Sequence, residues 1–404
     1  MASELLRGLP PDAVDLLKLA GRLGRTVGAR TFLVGGPVRD LLLGRPVVDL
    51  DLAVEGDTRR LGQRLARELN GRLVYHSRFR TGTVHLADDA RIDIARTRTE
   101  VYSKPAVLPV VKPASIEADL VRRDFTINAM ALEITPGRFK RMLDPHSGRL
   151  DLKHRQVRAL HRASFRDDPT RIFRAIRFAI RLEFEIEPET LNWMRAAIAA
   201  GFPRLLTPER ILHELRCFCC EEQLPRVLEA ALRENLLSAC FGTQPSDSLL
   251  SSIQRLSRQG CRPELLLIRI LAAMPEGSGL PVTCEEREAA RSVRRSAAVV
   301  SRLARLKRPS TVYRLLKPVP EPALRIIASE SLPPVAHTIA TFLDRLAAVE
   351  PMLCGKDLAG LGIRPGPAYR TVLGRLRDAR LDGLVRTRED ELALARRLLR
   401  RRKS

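Results

Sequence analysis

The residues best equipped for chemistry lie between Val34 and Leu52, in the string Val34-Gly35-Gly36-Pro37-Val38-Arg39 and, ten residues later, Asp49-Leu50-Asp51-Leu52. Gly35 and Gly36 follow the apolar run Thr31-Phe32-Leu33-Val34, so a strand is expected to break there into a tight turn with an open backbone. Main-chain N–H groups in such a turn can approach a triphosphate, and Arg39 can add a charge-assisted contact. Asp49 and Asp51 alternate with Val48, Leu50 and Leu52. A period of two sends both carboxylates to one strand face and the apolar side chains to the other. Paired carboxylates hold hard divalent cations, as a two-magnesium site for nucleotide transfer requires.

Three further strings carry chemistry. Asp93, in Arg91-Ile92-Asp93-Ile94, is either a third carboxylate for the same metals or a strand aspartate satisfied within the fold. Arg122-Arg123-Asp124 leads to Asn128; the arginine pair can clamp phosphate or ribose while Asn128 supplies an orienting hydrogen bond. Asp167-Asp168-Pro169-Thr170-Arg171 places Pro169 in a first helical turn with an acid near the cap. Arg171, Arg174, Arg177 and Arg181 then share one stripe at spacings of three and four, beside an apolar stripe of Phe173, Ile176 and Ile180. Four arginines in a row repel one another unless something anionic sits among them.

The elements that must hold these residues fall into two regimes. Short strands are expected at Thr31–Val34, Val48–Val54, Arg72–Tyr75, Thr83–Leu86, Arg91–Ile94 and Ala129–Ile134, with a helix at Thr58–Leu69. Ala95–Ser115, rich in charge and proline and without helical period, reads as a long mobile loop of the substrate-handling kind. From about Asp167 the pattern is almost wholly helical, with helix starts at Pro188-Glu189-Thr190 and Thr207-Pro208-Glu209.

Composition narrows the partner. Of 404 residues, 70 are Lys or Arg and 47 Asp or Glu, a formal charge of +23 that points to a polyanion, nucleic acid above all. No apolar run approaches the roughly 18 residues of a membrane span, and the first residues lack the pattern of a secretory signal. Seven cysteines are an odd count for a disulfide framework, and Cys217, Cys219 and Cys220 have no second pair nearby for zinc, so buried thiols in a reducing cytoplasm are expected. Aromatic residues are only 4%, which makes arginine–phosphate contact the expected mode of RNA binding.

Leu33–Gly56, Arg122–Leu132, Asp144–Arg158, Asp167–Ala179 and Leu206–Leu215 resemble, in order, the five motif regions of the class II tRNA nucleotidyltransferase/poly(A) polymerase family. The resemblance implies an α/β polymerase-β-like nucleotidyltransferase head followed by an all-α neck, body and tail. The boundaries implied are 1–140 for the head, 141–215 for the neck, 216–330 for the body and 331–404 for a tRNA-binding tail. It further implies that Gly36 and Arg39 bind the incoming triphosphate and that Asp49 and Asp51 hold magnesium. Arg123, with Asp124 close by, would contact the nucleotide sugar, beside the Arg122 and Asn128 read above as nucleotide-binding. Asp168 and Arg171 would read the base, with Arg174 and Arg177 nearby. One departure stands out: Asp167 occupies a place where the family usually has Glu, the acid that braces the base-reading arginine.

The activity expected is addition of CMP and AMP, from CTP and ATP, to the 3′ end of tRNA. An A-adding enzyme working beside a CC-adding partner is the alternative. A CC-adding enzyme usually lacks part of the segment before Arg122, which looks undeleted here, and a poly(A) polymerase would carry a longer basic extension. An RNA-binding homologue without catalysis is the non-enzyme alternative, opposed by the intact Asp49, Asp51 and Arg171.

Overall fold

The protein is described here by a computed structural model covering residue 9 and residues 11–47, 49–87, 90–246, 248–362 and 366–400. Its contacts divide the chain into two compact units, residues 1–214 with 221–244, and residues 215–220 with 245–404.

The first unit is built on a seven-stranded mixed sheet in the order β3-β4-β5-β2-β1-β8-β9. Its strands are β1 (Arg30–Val34), β2 (Leu50–Glu55), β3 (Arg72–His76), β4 (Thr81–His85), β5 (Arg91–Arg96), β8 (Ala131–Glu133) and β9 (Arg141–Leu143). β2 and β5 run parallel while their other neighbours are antiparallel. Helices Pro11–Thr26 and Thr58–Glu68 pack against this sheet. The second buries Leu61 and Leu65 completely, as its 3.6-residue period requires. Asp57 caps it by accepting from Arg60 N at 3.0 Å. Phe32, Val34, Ala53 and Ala131 form an apolar cluster with Ile116 and Leu120 of the short helix Ile116–Val121.

The expected strands lie where periodicity put them, to within a residue or two. One is shifted: β2 begins at Leu50, so Asp49 stands just before it, and Val48 lies outside the described residues. The reading of Ala95–Ser115 as a structureless loop is corrected. β6 (Arg98–Val101) and β7 (Val110–Pro113) form an antiparallel hairpin there. Its two four-residue strands are too short for sequence periodicity to reveal, and tertiary contacts anchor it: Thr97 Oγ1 donates to Ala114 O at 2.6 Å, and Arg98 N donates to the buried Asp119 at 3.0 Å.

The helix Thr170–Leu182 follows, with Arg171, Ile172, Phe173, Ala175, Ile176, Arg177 and Phe178 buried. A two-stranded parallel pair, β10 (Gln156–Val157) and β11 (Glu185–Ile186), flanks it. The helix Pro208–Cys219 comes after the expected start at Thr207. The second unit is helical from Ser248–Arg258 to Arg388–Arg400. Leu316, Ile327 and Ile339 centre one of its cores, Leu358, Leu376 and Ala395 another. Among the described residues no helix is long and apolar enough to cross a membrane.

Candidate functional site

One cavity of about 750 Å³ gathers most of the sequence candidates: Gly35, Gly36, Arg39, Asp49, Asp51, Arg122, Arg123, Asp124, Asn128, Asp168, Arg171, Arg174 and Arg177 all line it. Asp93 lines a neighbouring depression shared with Asp51 and Arg123.

The glycine turn is shaped as expected. Gly35 adopts φ 71° and ψ −131°, a conformation costly for any residue with a Cβ. A Cβ there would stand 2.9 Å from Arg123 Nη1. The turn thus serves two ends, opening the helix Gly36–Leu42 and letting an arginine of the cavity wall lie close to the backbone.

Asp51 projects from β2 between the buried Leu50 and Leu52. It sits directly beside Asp93 in the parallel register of β2 and β5. Burial first, then the negative charge of Asp93, hold the Asp51 carboxyl above the usual carboxylate range, with Asp49 adding to the effect and Arg123 opposing it. Such a carboxylate is short of positive charge. Arg91 supplies part of it nearby, donating to both oxygens of Asp49 at 3.2 and 3.1 Å. Thr83 Oγ1 donates to Asp93 Oδ1 at 2.5 Å. Among the described residues no three acidic, histidine or cysteine side chains gather tightly enough to enclose an ion. Magnesium is commonly held by one or two carboxylates together with water and substrate phosphates, and the pair Asp49 and Asp51, both lining the cavity, fits that pattern.

A buried relay crosses the cavity floor. Arg39 Nη1 donates to Asn128 Oδ1 at 2.8 Å, Asn128 Nδ2 donates to Asp124 Oδ1 at 3.1 Å, and Arg174 Nε donates to Asp124 Oδ2 at 2.7 Å. Burial alone would raise Asp124, but the Arg174 charge and the hydrogen bonds from Asn128 and Arg174 outweigh it and bring the carboxyl down to about 2. Arg122 pairs with Asp119 and Glu100, and Arg123 with Asp119. Nε of Arg123 is buried without a hydrogen-bond partner, an unmet donor in a cavity wall rich in arginine.

The arginine stripe finds its anions within the fold. Arg177 pairs with Glu214 at 3.1 Å and Glu221 at 3.2 Å, and Arg181 with Glu221 at 2.5 Å. Burial raises the Glu214 carboxyl despite the opposing Arg177. Phe178 lies under Arg39, Arg174 and Arg181, whose guanidinium carbons stand 5.1, 5.2 and 5.9 Å from its ring centroid.

Asp168 and Arg171 are each locked. Asp168 Oδ1 accepts from Thr170 N at 3.0 Å, Thr170 Oγ1 at 2.5 Å and Arg210 Nη2 at 2.5 Å. Arg171 donates to Ser164 Oγ at 2.7 Å and to Arg122 O at 2.8 Å. Asp167 pairs with its neighbour Arg166. The brace on Arg171 is therefore a hydroxyl and a carbonyl, and the brace on Asp168 is Arg210. Sequence reasoning assigned nothing to Arg210, Glu214 or Ser164. The first two lie in Leu206–Leu215, already marked by its resemblance, whereas Ser164 carried no signal.

Comparison with known proteins gives the family. Residues 31–158 match the poly A polymerase head domain. The chain is 33% identical to an A-adding tRNA nucleotidyltransferase of Halalkalibacterium halodurans over 96% of its own length and 93% of that protein's. The chain belongs to the tRNA nucleotidyltransferase/poly(A) polymerase family. A CC-adding tRNA nucleotidyltransferase of Deinococcus radiodurans is 32% identical over 95% of the chain and 92% of that relative. A CCA-adding enzyme of Thermotoga maritima, solved in complex with tRNA, superposes with a TM-score of 0.77 at 29% identity, covering 98% of each chain. The mixed-sheet head and helical remainder are the architecture of this nucleotidyltransferase family, and the protein is an enzyme of that family.

Proposed function

We propose that this nucleotidyltransferase adds CMP and AMP to the 3′ end of tRNA, completing CCA. The observation that carries the reading is that one cavity holds both the Asp49/Asp51 pair and the Asp168/Arg171 pair. Reacting phosphate and selected base then belong to a single bound nucleotide.

Base choice follows from the locked pair. Cytosine and adenine each offer an amino donor beside an unprotonated ring nitrogen. Asp168 accepts from the amino group while Arg171 donates to the ring nitrogen. Uracil and guanine present a carbonyl beside an N–H and would face two mismatched contacts. Sites that leave buried polar groups unpaired reject analogues by about 10⁴-fold or more.

Transfer is an in-line displacement. The RNA 3′-oxygen bonds to the α-phosphorus as the bond to the bridging oxygen breaks and pyrophosphate leaves. Magnesium at Asp49 and Asp51 would lower the pKa of the 3′-hydroxyl and offset charge on the leaving group. Gly35, Gly36 and Arg39 cradle the triphosphate, and the unmet Nε of Arg123 favours an anion beside it. Arg122, Asp124 and Asn128 hold the sugar side of the site, Arg174 and Arg177 the wall beneath the base. Asp93, paired in register with Asp51, raises the negative field that draws in the cation. In the same reading residues 1–140 are head, 141–215 neck, 216–330 body and 331–404 a tail that grips tRNA phosphates, in the reducing cytoplasm.

A-only addition is the second reading, favoured by the A-adding name of the full-length Halalkalibacterium relative. Incubation with tRNA lacking CCA, tRNA ending in CC, and labelled CTP or ATP decides between them. CMP incorporation onto the first substrate establishes CCA addition. AMP incorporation onto the second alone establishes the A-only enzyme, and no incorporation with magnesium present refutes both.

A further inference from the structure

Hydrogen bonds from Asp168 and Arg171 can fix the edge of a base, yet two in-plane contacts leave the base free to tilt about the line joining them. Something must set its plane. Two aromatic rings line the cavity, Phe178 and Tyr102. Phe178 is already engaged by Arg39, Arg174 and Arg181 and by the edge of Phe125, 5.8 Å between centroids. Tyr102, the residue after β6, carries no cation over its ring among the described residues.

Tyr102 is also held in place. Its hydroxyl donates to Glu100 Oε2 at 2.8 Å. Glu100, its side chain 7% exposed, accepts through Oε1 from Arg98 and from Arg122 Nη1 at 2.9 Å. The carbonyl of Arg122 in turn accepts from Arg171 at 2.8 Å. A short chain of bonds therefore ties the orientation of the ring to the base-reading arginine. Burial and the Glu100 charge push the phenol well above its ordinary range, so it stays a neutral donor to Glu100.

We propose that Tyr102 is the stacking platform for the base of the bound nucleoside triphosphate, setting its plane while Asp168 and Arg171 read its edge. The inference rests on the nucleotide-site reading above. A π face is common to every base, so the platform contributes affinity without choosing between bases. It also explains how a chain with few aromatic residues holds both a pyrimidine and a purine at one site.

The test uses the full-length protein with magnesium, measuring CTP and ATP affinity by calorimetry and the fluorescence quenching of 2-aminopurine riboside triphosphate. Tyr102→Phe keeps the ring and removes the bond to Glu100. Tyr102→Leu keeps apolar bulk and removes the ring. The platform predicts near wild-type affinity and quenching for Phe. For Leu it predicts lost quenching and affinity weakened by roughly 5- to 150-fold, more for ATP than CTP, with the CTP/UTP preference unchanged. Wild-type affinity and quenching in the Leu variant overturn the proposal. So does a Phe variant as impaired as Leu, which would assign Tyr102 to hairpin anchoring. If wild-type protein binds neither CTP nor ATP, the nucleotide-site reading itself falls.

Discussion

Replacing Asp124 by asparagine probes the relay across the cavity floor. Asp124 is 8% exposed and receives Phe125 N at 2.8 Å, Asn128 at 3.1 Å and Arg174 at 2.7 Å. Its carboxyl falls from 3.8 to about 2 in the fold. A carboxylate depressed in the folded state stabilises fully above its unfolded value and loses that contribution as pH falls through the folded one. That depression corresponds to about 2 kcal/mol at neutral pH. Asp124→Asn also strands the Arg174 cation. Removing one partner of a buried pair costs about 3–5 kcal/mol, but the Arg174 side chain is 37% exposed and rehydrates in part. The expected loss is therefore about 2–3 kcal/mol. Urea unfolding of wild type and variant, followed by near-UV circular dichroism from pH 7 to pH 3, measures it. The gap should narrow by about 1 kcal/mol at pH 3, where the unfolded wild-type carboxyl has taken up its proton. Equal stability at pH 7, or a gap constant across the range, refutes the account of Asp124 as an ionised partner of Arg174.

Three other variants test the remaining parts of the site. Asp51→Asn should abolish turnover yet raise the melting temperature in EDTA. A carboxyl held above its ordinary range costs the fold stability whenever it is ionised, and a melting temperature that stays or falls contradicts the like-charge reading. Gly35→Ala should cost about 1–3 kcal/mol of stability and weaken ATP binding as the new methyl displaces Arg123; unaltered binding in calorimetry would release the turn from the triphosphate. Arg210→Ala should lower the CTP/UTP preference by about tenfold or more, the worth of one charge-assisted bond, because Asp168 loses its fixed position. An unchanged ratio in single-turnover assays would show that Thr170 alone suffices.

The local half of this protein follows from neighbours along the chain. Alternation at Leu50, Asp51 and Leu52 is set by strand geometry, the break after Val34 by glycine, and the arginine stripe by helical spacing, so their types and faces were legible from neighbours in the chain. The hairpin at Arg98–Pro113 was not, since its short strands depend on distant anchors such as Asp119. Nor were the braces. Asp167 stands beside Asp168 in sequence, yet Arg210, forty-two positions away, holds Asp168, and Glu214 and Glu221 balance Arg177. A charged group pairs with whichever partner the packed backbone brings within about 3 Å, and chain separation carries no record of that distance. Chemistry was written in the motifs, whereas the restraint on each reacting group arose only when sheet, hairpin and helices closed around one cavity.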